Sequence, residues 1–267
     1  MLGRLVLLRY LCQRFETIAS KRMEIKIENL KKSFGEKVAV DIPEFAIHSG
    51  EIIGLVGNNG AGKTTLFRLM LDLLQASEGR VLLTPQAAEG AEANAEPMDP
   101  ARTEAWKAYT GAYIDDGFLI DFLTPEEYFD FVGRVCGMDK DAVKTRLADF
   151  EQFMSGEILG QKKYIRDLSA GNKQKVGIVA ALLSRPQLVV LDEPFNFLDP
   201  SSQHVLKNLL TDYNRQTRAT ILVSSHNLQH TIEISTRIAL LEHGVILKDL
   251  SNAGGSAEQE LENYFEV

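Results

Sequence analysis

The chain has 267 residues, 45% hydrophobic and 25% charged, proportions ordinary for a soluble globular protein large enough to bury a sizeable core. Its formal charge of -8 carries no basic excess pointing to nucleic acid, and no run of about 18 apolar residues is present to span a bilayer. Cys12 and Cys136, the two cysteines, fit neither a disulfide framework nor a metal cluster, which suits a reducing compartment.

Residues 1–22 carry a short apolar run, Leu5-Val6-Leu7-Leu8, flanked by Arg4 and Arg9. The run is too short for the core of a signal peptide, so this stretch is expected to lie outside the fold, as an extension from an upstream start or as a membrane-surface helix. Glu24-Ile25-Lys26-Ile27-Glu28 alternates polar and apolar and predicts a half-exposed strand. Lys32-Ser33-Phe34-Gly35 follows as a turn carrying one aromatic. Val38–Val40 and Phe45–Ile47 are strand-like pieces with Pro43 between them. An antiparallel β portion is therefore expected before the core.

Ile52-Ile53-Gly54-Leu55-Val56 is an apolar run of the length of a buried parallel strand. Directly after it, Gly57-Asn58-Asn59-Gly60-Ala61-Gly62-Lys63-Thr64-Thr65 matches the phosphate-binding pattern G-x-x-x-x-G-K-[ST] at every fixed position. Leu66, Leu69, Met70, Leu73 and Leu74 then recur at the spacing of one helix face. Strand, glycine loop and helix are the context this motif needs. Glycines let backbone N–H groups turn inward, and the helix N-terminus adds partial positive charge. Lys63 is placed to reach the β- and γ-phosphates of a nucleotide, and the Thr64 hydroxyl to hold Mg²⁺.

Residues 86–100, rich in Ala, Glu and Pro, read as an exposed loop. Thr124-Pro125-Glu126-Glu127 carries the signature of a capping box. Helices are expected over about Pro125–Cys136 and Asp139–Met154, forming a helical subdomain inserted at 117–167. Leu188–Leu191 is a buried strand ending in Asp192-Glu193, and Thr220–Val223 is another, ending at Ser224-Ser225-His226. Asp192 at a strand end suits the Mg²⁺ shell, Glu193 suits a proton acceptor for attacking water, and His226 sits where α/β sheets place ligands. Ser169 stands as an N-cap before the helix Val176–Leu183, which makes either an ordinary cap or an anion site. Ile238–Leu241 and Val245–Leu247 predict a terminal hairpin. A loose Asn252–Ser256 and an apolar face of Leu261, Tyr264 and Phe265 end the chain.

Taken together, Gly57–Thr65, Leu168–Asn172, Leu188–Glu193, Asn196–Asp199 and His226 resemble, in order and spacing, the ATP-binding cassette (ABC) ATPases over about residues 23–250. The resemblance implies an α/β fold: a P-loop nucleotide core with a mixed sheet at 23–116 and 168–250, an N-terminal antiparallel β portion, an inserted helical subdomain and a tail at 251–267. It implies ATP and Mg²⁺ as ligands and two cassettes paired head to tail, with Ser169 and Gly171 of one copy facing the γ-phosphate held by the other's P-loop. It further implies that Phe34 stacks on adenine, that Asp199 communicates across the pair, and that Glu193 and His226 make the cassette hydrolytic. Ala170 replaces the family's commoner glycine, and Asn172 its glutamine. Asp115 stands at the usual glutamine position, where a carboxylate could reach Mg²⁺ or its water. The implied setting is the cytoplasmic face of the inner membrane, with a separate transmembrane permease docked near residues 115–123. Phe118 and Phe122 could line that groove, although core packing is the expected role for both. The single-cassette layout and Asp115 look like those of subunits that serve ABC-2 type exporters. A soluble ATPase such as an iron–sulfur assembly ATPase is the alternative.

Overall fold

A computed structural model of the chain describes residues 22–86 and 95–265. The expected extension therefore lies outside the described residues, except for Arg22, which opens the first strand. So do residues 87–94 of the expected loop.

Strands β1 (Arg22–Phe34), β2 (Lys37–Ile47) and β4 (Glu78–Gln86) form an antiparallel sheet in the order β2-β1-β4. β1 runs through Lys32-Ser33-Phe34, so the predicted turn is confined to Gly35 and Glu36. β2 is continuous across Pro43. A missing N–H is harmless there because β2 is an edge strand. Alternate residues of β1 (Met23, Ile25, Ile27) are fully buried, as the sequence alternation requires.

The second sheet has six strands in the order β5-β6-β7-β3-β8-β9, where β3 is Ile52–Val56, β5 Thr110–Tyr113, β6 Leu188–Leu191, β7 Thr220–Ser225, β8 Arg237–Glu242 and β9 Val245–Ser251. The first five are parallel, and β9 closes the predicted hairpin antiparallel to β8. Every residue of β3, β6 and β7 is buried, so their runs of Ile, Leu and Val are those of strands covered on both faces. The parallel strands deliver their C-terminal ends, and the residues just beyond them, to one edge of the sheet.

Helix α1 (Lys63–Met70) stops earlier than its apolar spacing suggests. Asp72 turns left-handed at φ 51, and Leu73 is left exposed. Between β5 and β6 come α2 (Pro125–Val135), α3 (Lys140–Ala148) and α4 (Glu151–Met154). The capping box is present: Thr124 Oγ1 accepts from Glu127 N–H at 3.3 Å while the Glu127 carboxylate accepts from Thr124 N–H at 2.9 Å. The single helix predicted over 139–154 is broken at Asp149-Phe150, where the Phe150 N–H turns back to the Leu147 carbonyl. That break carries Phe150 and Phe153 into the core, with Phe129, Ile158 and Ile165. Phe118 and Phe122 are about half or more exposed, at 51% and 62%, against the core role expected for them.

Helices α5 (Ala170–Leu182), α6 (Pro200–Thr217) and α7 (Leu228–Ile234) cover the sheet, and α8 (Glu258–Phe265) ends the chain. Asn252, predicted loose, is buried. Its amide donates to the Ile232 and Ser235 carbonyls, both at 2.8 Å, and so fixes the tail to the end of α7. Leu261 packs with Ala257 against Val56, Ile238 and Leu240; the side chains of Tyr264 and Phe265 lie outside those described. Leu261→Ala is therefore expected to cost about 2–5 kcal/mol of stability, as for other fully buried leucines. Urea unfolding of both chains measures it, and a loss near zero would remove the tail from the core.

Candidate functional site

The glycine loop is fixed from both sides. A Cβ at Gly57 would meet the Leu241 carbonyl at 2.1 Å, and one at Gly62, whose φ is 112, would meet the Ala39 carbonyl at 2.5 Å. Only glycine fits either place, so the loop is pressed between β2 and β8. Gly62 is the N-cap of α1 and provides no side-chain cap, which leaves the first-turn N–H groups for an anion. Lys63 is buried at 6% exposure, an unusual place for an ammonium. Its Nζ donates to the Gly57 carbonyl at 2.7 Å and lies 3.3 Å from Glu193 Oε1. Phe34, Asn59, Gly60, Ala61, Gly62, Lys63, Thr64, Thr65 and Glu193 line one groove of about 320 Å³. Phe34 is exposed beside it, with Lys32 Nζ 5.1 Å from its ring centroid.

The end of strand β6 brings two carboxylates to the start of α1, Asp192 against Thr64 and Glu193 against Lys63. Asp192 is buried and receives two hydroxyls: Thr64 Oγ1 donates to Oδ2 at 2.5 Å, and Ser224 Oγ donates to Oδ1. Burial pushes the Asp192 carboxyl above the usual range, opposed by those two hydroxyl bonds. Three oxygen groups, Thr64, Asp192 and Ser224, thus converge at the strand ends. All-oxygen donors of this kind suit a hard cation such as Mg²⁺ and would suit a soft metal poorly.

Glu193 takes a left-handed φ of 46. Its Oε2 lies 2.8 Å from His226 Nδ1 and accepts from the His226 N–H at 3.2 Å. Glu193 and His226, 33 residues apart, thus meet as the strand-end logic requires, with Lys63 on the other carboxylate oxygen.

Ser169 caps α5, its Oγ accepting from Asn172 N–H at 3.2 Å, and is exposed together with Ala170. Asp199 caps α6 in the same manner through Ser202, and those bonds hold its carboxyl below the ordinary range. Asp115 sits outside the Thr64–Asp192–Ser224 cluster. Its Oδ2 accepts from Arg68 of α1 at 2.9 Å and its Oδ1 from Gly117 N–H at 2.9 Å. Ser224 and Arg68 were not legible as site residues. A polar side chain at the C-terminal end of a parallel strand was the available signal for Ser224; nothing in the sequence marks Arg68.

The ABC transporter family model matches residues 40–196. That span includes the glycine loop, the α5 head and the β6 carboxylates. The chain belongs to the ABC transporter family. An osmoprotectant import ATP-binding protein of Salmonella typhimurium is 30% identical over 84% of this chain and 58% of its own length. A tungstate uptake system ATP-binding protein of Peptoclostridium acidaminophilum is 29% identical over 83% of this chain and 96% of its own. A solved ATP-binding cassette, dimeric in a post-hydrolysis state with ADP and Pi, shares the fold at TM-score 0.72 and 20% identity, over 86% of this chain and 99% of that one. As an ABC cassette the chain is an ATP-binding ATPase of the transporter kind. The P-loop core, mixed sheet, antiparallel β portion and inserted helices are those expected of the family.

Proposed function

We propose that two of these cassettes close head to tail on ATP, hydrolyse it, and thereby drive a separate transmembrane permease. The observation that carries the proposal is the meeting of Lys63, Glu193 and His226 beside the Thr64–Asp192 pair at one sheet edge. Lys63 and the α1 amides take the β- and γ-phosphates, with Gly57–Thr65 wrapping them, and Phe34 stacks on adenine. Thr64 and Asp192 would hold Mg²⁺, which when bound supplies charge neutralisation for the phosphates. Glu193 accepts a proton from the attacking water, and His226, hydrogen-bonded to it, keeps the carboxylate turned to that water. Asp115, now bonded to Arg68, would have to leave that partner to reach the metal or its water.

The second half of the site comes from a partner copy. Ser169 and Gly171 present the head of α5 to the γ-phosphate on the other copy's P-loop, and Asp199 lies in the turn facing it. Neither half alone surrounds the terminal phosphate, so ATP favours the closed pair and hydrolysis releases it. Among the described residues no helix is long and apolar enough to cross a membrane, so a permease supplies the span. It docks beside Asp115–Leu123, where Phe118 and Phe122 are exposed. The cassette then sits peripherally on the cytoplasmic face of the membrane. Asp115 supports an ABC-2 type exporter, while the two relatives named above are an import and an uptake protein.

Ser169→Arg tests the pairing. It is expected to leave the ATP affinity of a single copy unchanged while abolishing both ATP-dependent dimerisation and turnover. Equilibrium binding and light scattering read the two effects, and a variant that still dimerises on ATP would contradict the pairing.

A further inference from the structure

Glu193 is held by its backbone as well as by its side chain. Its left-handed φ of 46 is one that a non-glycine residue keeps only where its surroundings hold it there. Three groups do so. The Glu193 N–H donates to Ser224 Oγ at 2.8 Å, and the Glu193 carbonyl accepts both from Asn196 N–H within its own turn and from Gln174 Nε2 across the fold, each at 3.1 Å. Gln174 is 5% exposed and lies on α5, five residues beyond the cap Ser169. The head of α5 touches the Glu193 segment a second time: a Cβ added at Gly171 would meet the Phe197 carbonyl at 2.6 Å. Ala170 and Gln174 of α5 share the wall of a cavity of about 250 Å³ with Glu193, Asn196 and Phe197. The bond from the buried Gln174 and a backbone approach that only glycine permits therefore tie the head of α5 to the segment that begins at Glu193.

We infer that Gln174 is a positioning residue for Glu193 and makes the carboxylate and the head of α5 one mechanical unit. The inference rests on Glu193 as the proton acceptor. Within a head-to-tail pair, the α5 head faces the ATP of the partner, while Glu193 serves the ATP of its own copy. The Gln174 bond thus runs from one site to the base of the other. Seating the partner's γ-phosphate on Ser169 and Gly171 steadies the Glu193 backbone, and through it the side chain between Lys63 and His226. Without Gln174 the carbonyl keeps only the short-range Asn196 N–H, which lets the backbone relax from its left-handed turn and swings the carboxylate off its partners.

The test is Gln174→Met, which keeps the buried volume and removes the donor, with Gln174→Leu as a second variant should the first fail to fold. Each is assayed alone and on Glu193→Gln. Loss of one hydrogen bond is expected to lower kcat by up to about tenfold, with KM for ATP and the melting temperature unchanged and the Hill coefficient for ATP reduced. On Glu193→Gln, the same substitution is expected to lower the residual turnover no further, because Gln174 acts through Glu193. A merely structural role would shift KM and Tm and would cut turnover equally in both backgrounds, which would overturn the inference. Wild-type kcat in a folded Gln174→Met beside an inactive Glu193→Gln overturns this inference alone. Full turnover in Glu193→Gln overturns the base assignment and the inference together.

Discussion

Glu193→Gln is expected to slow ATP turnover by about 10²- to 10⁴-fold, the contribution of a positioned general base, while ATP still binds. The amide keeps the shape of the carboxylate but cannot take a proton from water at neutral pH. Its neighbours remain in reach, since His226 and Lys63 approach the two carboxylate oxygens from opposite sides at 2.8 and 3.3 Å. Removing one negative charge beside Lys63 also frees that ammonium for phosphate, so nucleotide affinity is expected to hold or rise. The result is a pair of cassettes stalled in the ATP-bound state. Single-turnover kinetics and gel filtration with ATP measure both parts. Turnover at the wild-type rate would rule out Glu193 as the base.

Lys63→Ala is expected to act on the other side of the cycle, by weakening ATP binding itself. A hydrogen bond to a charged group contributes about 1.5–3 kcal/mol, so loss of the lysine corresponds to an affinity roughly ten- to hundredfold lower. The ammonium is already desolvated and held by the Gly57 carbonyl, and little further ordering is needed when a phosphate arrives. The substitution also leaves Glu193 and Asp192 without the nearby cation, which adds repulsion against a triphosphate. Equilibrium titration with ATP reads the effect, and an unchanged Kd would remove Lys63 from the phosphate site. The two variants separate binding from chemistry: Glu193→Gln binds and stalls, Lys63→Ala fails to bind.

Local signals made most of the fold legible. Ile52–Val56 followed by Gly57–Thr65 places a strand, a loop and a helix start within fourteen residues, and each appears where the sequence puts it. Thr124 and Glu127 set the start of α2 through bonds three residues apart. The failures lie where distant contacts decide. Pro43 ends a strand only where a backbone N–H is needed, and the edge position of β2 removes that need. Asp149-Phe150 has helical spacing on both sides, yet the chain turns there so that Phe150 and Phe153 enter the core. Asn252 reads as loop, yet its amide meets two carbonyls that are 17 and 20 residues away.

The site divides in the same way. The groups that touch ATP in the proposed mechanism sit in short patterns: the glycine loop, a strand ending in two carboxylates, a strand ending near histidine. The groups that hold those residues in place do not. Ser224 bonds Glu193 across 31 residues, Gln174 across 19, and Arg68 reaches Asp115 across 47. No spacing rule links such pairs: the parallel register of β6 and β7 sets Ser224 beside Glu193, and the packing of α5 and α1 brings Gln174 and Arg68 to their partners. Phe118 and Phe122 show the converse. Their residue type suits a core, and only the fold leaves them exposed.

Head-to-tail closure on ATP is tested most directly by cross-linking between copies. Two versions of the Glu193→Gln chain are mixed, both with Cys12 and Cys136 changed to serine, one carrying Asn59→Cys in the glycine loop and the other Ser169→Cys at the head of α5. A short bifunctional thiol reagent is expected to join one version to the other when ATP is present, and to join little without it or with either version alone. Equal yield with and without ATP, or no product linking the two positions, would contradict the account.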